Sequence, residues 1–280
     1  MKPTNVLTLL FLSGTLLFMS CKKTNTANDE IETSYQLTAD ASVADYLVED
    51  VSDVKDEALL DKDLMGTNGP ITPIETNGIT SCATITVTPL QGFPKTIVID
   101  FGTGCVSPNG VLRSGKVQIV LSDSLRRPAS TAVTTFDNYF VNHFKVEGRI
   151  TWTNTSTPGV KSWRREVVNG KVTAPDGRYW LHNGVRNVVQ TAGANTPRNL
   201  LDDEFSITGN GSVSNAAGIT RTHNILTALV KKVACANIDR GTIRFEGPNH
   251  YAILDYGDGT CDRIATISID GGAPRTILLR

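Results

Sequence analysis

The chain has no Cys-x-x-Cys pair, no histidine with a second histidine or cysteine at ligand spacing, and no serine in a nucleophile elbow. His143, His182, His223 and His250 are scattered, and Ser124 and Ser162 stand alone. Zinc ligation and serine-hydrolase chemistry therefore have no pattern to rest on. A surplus of one charge is also missing. Lys and Arg number 27 against 28 Asp and Glu, for a net charge of −1, which gives no basic footprint for nucleic acid. Helical periodicity disappears after residue 78, which argues against a parallel sheet with crossover helices. The apolar run from Val6 to Met19, broken by Thr8, Ser13, Gly14 and Thr15, is shorter than the roughly 20 residues a spanning helix needs.

That run follows Met1-Lys2 and ends Leu17-Phe18-Met19-Ser20-Cys21. A basic start, an apolar core and a small residue before the cut form a signal peptide. Serine directly before Cys21 resembles the lipobox of bacterial lipoproteins. The resemblance implies cleavage after residue 20 and acylation of Cys21. Two or more acyl chains hold a protein stably at a membrane. Lys22-Lys23 and the polar stretch after them predict a flexible tether over 21–38. A Cys-Lys-Lys start with acids soon after is similar to lipoproteins of the Bacteroidota, and implies a lipid-anchored protein of the outer membrane, facing the periplasm or the cell surface. Asp29, Glu30 and Glu32 lie farther from Cys21 than in the strong form of that export signal.

Charge is unevenly placed. Twelve acids and two bases fall between Asp29 and Asp63, whereas residues from 64 onward carry 22 bases and 16 acids. Val43, Tyr46, Leu47, Val51, Val54 and Ala58 recur at three- and four-residue steps, which predicts an amphipathic acidic helix over 39–64, started by Asp40 or Ser42. Its acids either form a solvated face or attract the basic body. Gly66, Gly69 and Pro70 mark a linker.

The body, 78–280, alternates β-branched or aromatic residues with polar ones, as in Thr96-Ile97-Val98-Ile99-Asp100-Phe101 and Ala265-Thr266-Ile267-Ser268-Ile269. Asn169-Gly170, Asp176-Gly177, Asn183-Gly184, Asn210-Gly211 and Asp258-Gly259 are hairpin signals between such runs. The expected fold class is all-β. It is a long antiparallel meander of about a dozen strands, strongly curled or split into a two-layer sandwich.

An internal repeat spans 82–120 and 235–270. In each copy a cysteine opens the unit, and a strand ends in Asp-aromatic-Gly (Asp100-Phe101-Gly102, Asp255-Tyr256-Gly257). A second cysteine then sits in a glycine-rich turn ahead of an arginine and another strand. Four cysteines besides Cys21 allow three pairings. The repeat favours Cys82–Cys105 and Cys235–Cys261, which leaves Cys21 over for lipid. These units, with Phe136-Asp137-Asn138-Tyr139 and Trp152-Thr153-Asn154, resemble an uncharacterised family of secreted Bacteroidota lipoproteins. That resemblance implies location and β architecture but no activity.

Candidate chemistry is sparse. Asp100, Asp255, Asp258 and Asp262 lie beside glycine turns, where carboxylates either hold Ca²⁺ or bond turn amides. Trp152, Trp163 and Trp180 on successive strands either stack a ligand or fill the core. Arg126-Arg127 and Arg164-Arg165 could rim a polysaccharide site. The reading favoured is a non-enzymatic binding or envelope module for a glycan or protein partner, with no cofactor. The alternatives are an all-β hydrolase using Asp255, Asp258 or Asp262, and a purely structural envelope component.

Overall fold

The computed structural model describes residues 26–66 and 72–280; Cys21 and the signal segment lie outside the described residues. Among the described residues one helix, α1 (Thr26–Asp61), precedes fourteen strands. They are β1 (Thr84–Thr88), β2 (Lys95–Asp100), β3 (Cys105–Val106), β4 (Leu112–Leu121), β5 (Thr131–Val141), β6 (Phe144–Asn154) and β7 (Ser162–Thr173). After these come β8 (Tyr179–Ala192), β9 (Glu204–Asn215), β10 (Thr220–Lys232), β11 (Arg240–Glu246), β12 (Tyr251–Asp258), β13 (Ile264–Ile269) and β14 (Arg275–Leu278).

The helix is longer than its periodicity predicts. It takes up residues 26–38, expected as tether, and places Asp40 and Ser42 in its interior rather than at its start. The Ser42 hydroxyl donates back to the Ala39 carbonyl at 2.7 Å, as interior serines do. The first turns are polar in sequence and are held by partners distant in sequence. Asn249 donates to Glu30 at 2.8 Å, Arg275 to Glu32 at 3.0 Å, and Arg221 to Ser34 at 2.9 Å. At the other end Asp63 adopts φ 54°. The Leu64 N–H bonds the Leu59 carbonyl at 2.7 Å and the Asp63 N–H bonds that of Leu60 at 3.1 Å. These are the paired bonds of a Schellman stop.

All fourteen strands form a single sheet whose neighbours are antiparallel, with β1 and β14 at its edges and the short β3 hung on β4. The expected strong curl or two-layer sandwich gives way to one open layer. Its missing cover is α1, which provides the second layer that a half-apolar sheet requires. Alternation sets the faces: in β2 every second residue is buried, with Ile97 and Ile99 toward the helix. Bulges interrupt the ladders between Ser114 and Lys116, between Thr135 and Phe140, between Glu147 and Arg149, and between Val167 and Gly170. A Cβ at Gly115 would run into the Asn138 carbonyl, and one at Gly148 into that of Asn169. Glycine at these two places lets adjacent strands step together, and such aligned bulges bend the sheet along the helix.

The bend shows in the contacts of α1. Asp45 meets Arg186 of β8 and Tyr256 of β12, although three strands separate these in the sheet. Leu47, Val51, Val54 and Ala58 form the apolar row at its centre and are almost completely buried. Each Leu or Val there stabilises by about 1.5–3 kcal/mol relative to exposure.

Three Asn-Gly pairs read as turns lie inside long strands: Asn169-Gly170 in β7, Asn183-Gly184 in β8 and Asn210-Gly211 in β9. Gly170 sits opposite His182 and Gly211 opposite His223 in the ladders. A side chain at either glycine would collide with the facing imidazole. These glycines serve ring-over-backbone approach, a use of strand glycine distinct from turning. Asp176-Gly177 does lie at the β7–β8 turn, and Gly259 follows directly on β12.

The repeat is visible in the topology. Cys82–Cys105 ties the entry to β1 to the first residue of β3, just past the turn after β2, with Cα atoms 5.8 Å apart. Cys235–Cys261 ties the entry to β11 to the turn after β12, at 5.5 Å. One unit lies toward each edge of the sheet.

Candidate functional site

The acids of α1 are matched by bases from the strands and, for Arg178, from the β7–β8 turn. Asp40 pairs with Arg178 at 2.7 Å, Asp45 with Arg186 at 3.3 Å, Glu49 with Arg165 at 2.6 Å and Asp53 with Lys231 at 3.3 Å. Asp50 takes both Nε and Nη2 of the fully buried Arg113, the former at 3.1 Å. The solvated-face expectation for the helix is thereby overturned, and the attraction between acidic segment and basic body is realised. Charges this deep persist only when paired and hydrogen-bonded. Burial alone would lower the Arg113 pKa, but the Asp50 charge and hydrogen bonds outweigh it and hold the guanidinium above its ordinary value. The inward parity of Arg113, Arg165, Arg221 and Lys231 on their strands was the sequence signal for this seam.

Beside the seam lies a partly open cavity of about 50 Å³ between the second half of α1 and β6–β10. Trp152, Trp163, Val188 and Phe205 give it apolar walls, and Lys55, Arg126, Asp53 and Asp203 give it charge. Burial pushes Asp53 up to about 7 against the pull of Lys231. Burial likewise pushes Asp203 up to about 7 against Arg126. Neither aspartate was among the sequence candidates, because nothing in a lone acid on a helix or loop marks its burial.

A second, smaller space of about 30 Å³ lies between Ala41, Ala44 and Asp45 of α1 and the glycine-bearing parts of β8–β10. His182 and His223 line it, and burial lowers their pKa values to about 4 and about 3. They do not form a metal set with His143 or His250. His250 instead bonds Asp270 at 2.5 Å through Nδ1.

An open cleft of about 430 Å³ runs beside edge strand β14. Gln36 of α1, Asn142, Asp176, Arg178 and Arg280 supply its polar wall, and Phe144 and Leu278 its apolar one. Arg178 lies over the Trp180 ring at 5.1 Å and Arg280 over Phe144 at 4.8 Å. Leu278 is 76% exposed and its ladder partner Ile264 is 49% exposed.

The residues nominated from sequence are placed as follows. Trp152, Trp163 and Trp180 are buried at 4%, 8% and 0% exposure, so the stacking reading is corrected: all three are core. Each is flanked by protein, Trp152 by Lys55 at 5.0 Å and Trp163 edge-on by Phe205 at 6.3 Å. The four aspartates bond their own turns. Asp100 accepts from the Gly102 N–H at 2.8 Å, Asp255 from Gly257 at 2.9 Å, Asp258 from Thr260 at 3.0 Å and Asp262 from Ile264 at 2.9 Å. These are Asx turns, and Asp100 also pairs with Lys116 at 3.0 Å. Cys235, Cys261 and Asp239 approach one another within 4.8 Å, but both sulfurs are consumed in the disulfide. Arg165 is buried on Glu49, while Arg164 pairs with Glu166 and Arg127 with Asp123 at the surface. No family model, curated protein or solved structure matches the chain.

Proposed function

We propose that this is an exported, lipid-anchored and non-enzymatic binding module, which pairs an extended segment of a partner protein with β14. The carrying observation is the edge of β14, unpaired among the described residues, beside the 430 Å³ cleft. A free edge offers main-chain N–H and C=O groups to an added strand, and a neighbouring pocket can take alternate side chains. The exposed Ile264 and Leu278 add apolar surface to that edge. The glycan alternative loses its support with the burial of the three tryptophans. Two disulfides accord with an oxidising compartment, and the segment ending at Cys21 supplies export and anchor.

A photo-crosslinking amino acid at position 276 or 278 tests this in cells. The expected result is a discrete crosslinked protein band from either position and none from an outward position in β7. Leu278→Asp should weaken that band several-fold without changing the melting temperature. A band of equal strength from β7, or none from β14, would refute the edge-pairing reading.

A further inference from the structure

Four cations and four carboxylates line the 50 Å³ cavity between α1 and β6–β10. Three of its cations are matched: Lys55 by Asp56, Arg165 by Glu49 and Lys231 by Asp53. Arg126 has no carboxylate partner among the described residues; its acceptor is the Pro197 carbonyl at 3.3 Å. The carboxylate nearest in role, Asp203, is taken by Gln190 at 2.7 Å. Two further donors in the wall, Trp163 Nε1 and Arg165 Nε, are buried without an acceptor. Both residues are more than nine-tenths buried, at 8% and 3% exposure. Unpaired buried donors are costly, and a native site that keeps them calls for an occupant with acceptor oxygens. Val188, Phe205 and Met65 line the same space with carbon. Its volume holds roughly four water-sized groups.

We propose that this cavity binds a small monocarboxylate of about acetate size, its oxygens accepting from Arg126 and the Trp163 indole N–H and its carbon lying against Val188 and Phe205. Like-charge repulsion from the wall is the main objection. Asp53 faces Glu49, Asp50, Asp56 and Lys231, and Asp203 faces Asp56, Asp202 and Arg126. Burial raises both aspartates to about 7, so near neutral pH each carries a proton part of the time. In that state the cavity's charge balance turns positive and favours an anion. This site is separate from the β14 edge, and the two readings stand or fall independently.

Titration calorimetry of the full chain in detergent tests the site, with sodium acetate against sodium chloride at equal ionic strength. The expected result is saturable one-to-one binding of acetate and not of chloride, tighter at pH 6 than at pH 8. Arg126→Gln, at a half-buried position, and Trp163→Phe, which removes the N–H but keeps a ring, should each weaken acetate about tenfold while retaining the near-ultraviolet spectrum of a folded core. No saturable heat with acetate, equal binding of chloride, or unchanged affinity in both variants would each overturn the assignment.

Discussion

Replacing Arg113 with methionine is expected to destabilise the fold by about 3–5 kcal/mol, the range seen when one partner of a buried ion pair is removed. Arg113 is fully buried and gives two nitrogens to Asp50 and a third to the Ser107 hydroxyl at 2.7 Å. Without it, the buried Asp50 keeps only the Tyr139 hydroxyl, at 3.5 Å. Ser107 still donates to the Ile79 carbonyl at 2.7 Å, so the loss centres on the stranded carboxylate. The double variant Arg113→Met with Asp50→Leu should recover most of the stability, because two apolar side chains can replace a buried pair at little cost. Urea denaturation measures both. A loss below about 1 kcal/mol in the single variant is the behaviour of an exposed pair and would show that the seam is wet.

Cys21→Ala is expected to move the protein entirely from the membrane to the soluble fraction with no change in melting temperature. Cys21 is the one cysteine of five left over by the two disulfides. Stable anchoring needs two acyl chains or their equivalent, and loss of the acylated thiol and its new amino terminus removes them together. The consequence reaches further than location. If Cys21 carries lipid as proposed, covalent reach would keep that lipid within about 17 Å of Thr26, the first described residue of α1. On that reading the bilayer surface would lie near the end of α1 that Asn249 and Arg275 hold. Fractionation after detergent-free lysis decides it. A variant that stays in the membrane pellet would refute lipidation.

The sheet was legible wherever alternation ran unbroken, as in Thr96–Phe101 and Ala265–Ile269, because period two has one physical meaning there. The cysteine pairing was legible because duplication set each pair in the same frame of strand, turn and strand. The Asn-Gly pairs in β7, β8 and β9 were misread because glycine has two uses. A turn needs its left-handed backbone, while a strand can need its missing Cβ, and only the facing groups tell them apart: His182 at Gly170, His223 at Gly211 and the Asn210–Gly211 backbone at Gly184. For the acids of α1 the sequence left two outcomes open, a solvated face or attraction to the basic body, for a related reason. Composition shows charge but not whether Arg113, Arg165 or Lys231 waits on the inward face of a strand. Asp53 and Asp203 gave no local signal, since burial from several elements creates their character.

The claim on which the rest depends is that α1 is an interior element of the fold, held by charge pairs along its length, and not an acidic arm laid on a sheet. Native-state hydrogen exchange of the amides from Leu47 to Leu60, followed through low denaturant, tests it most directly. Those amides should exchange only through global unfolding, with the same free energy and denaturant dependence as the amides at the centres of β6–β10. Exchange of the helix at a markedly lower free energy, while the sheet stays protected, would contradict it.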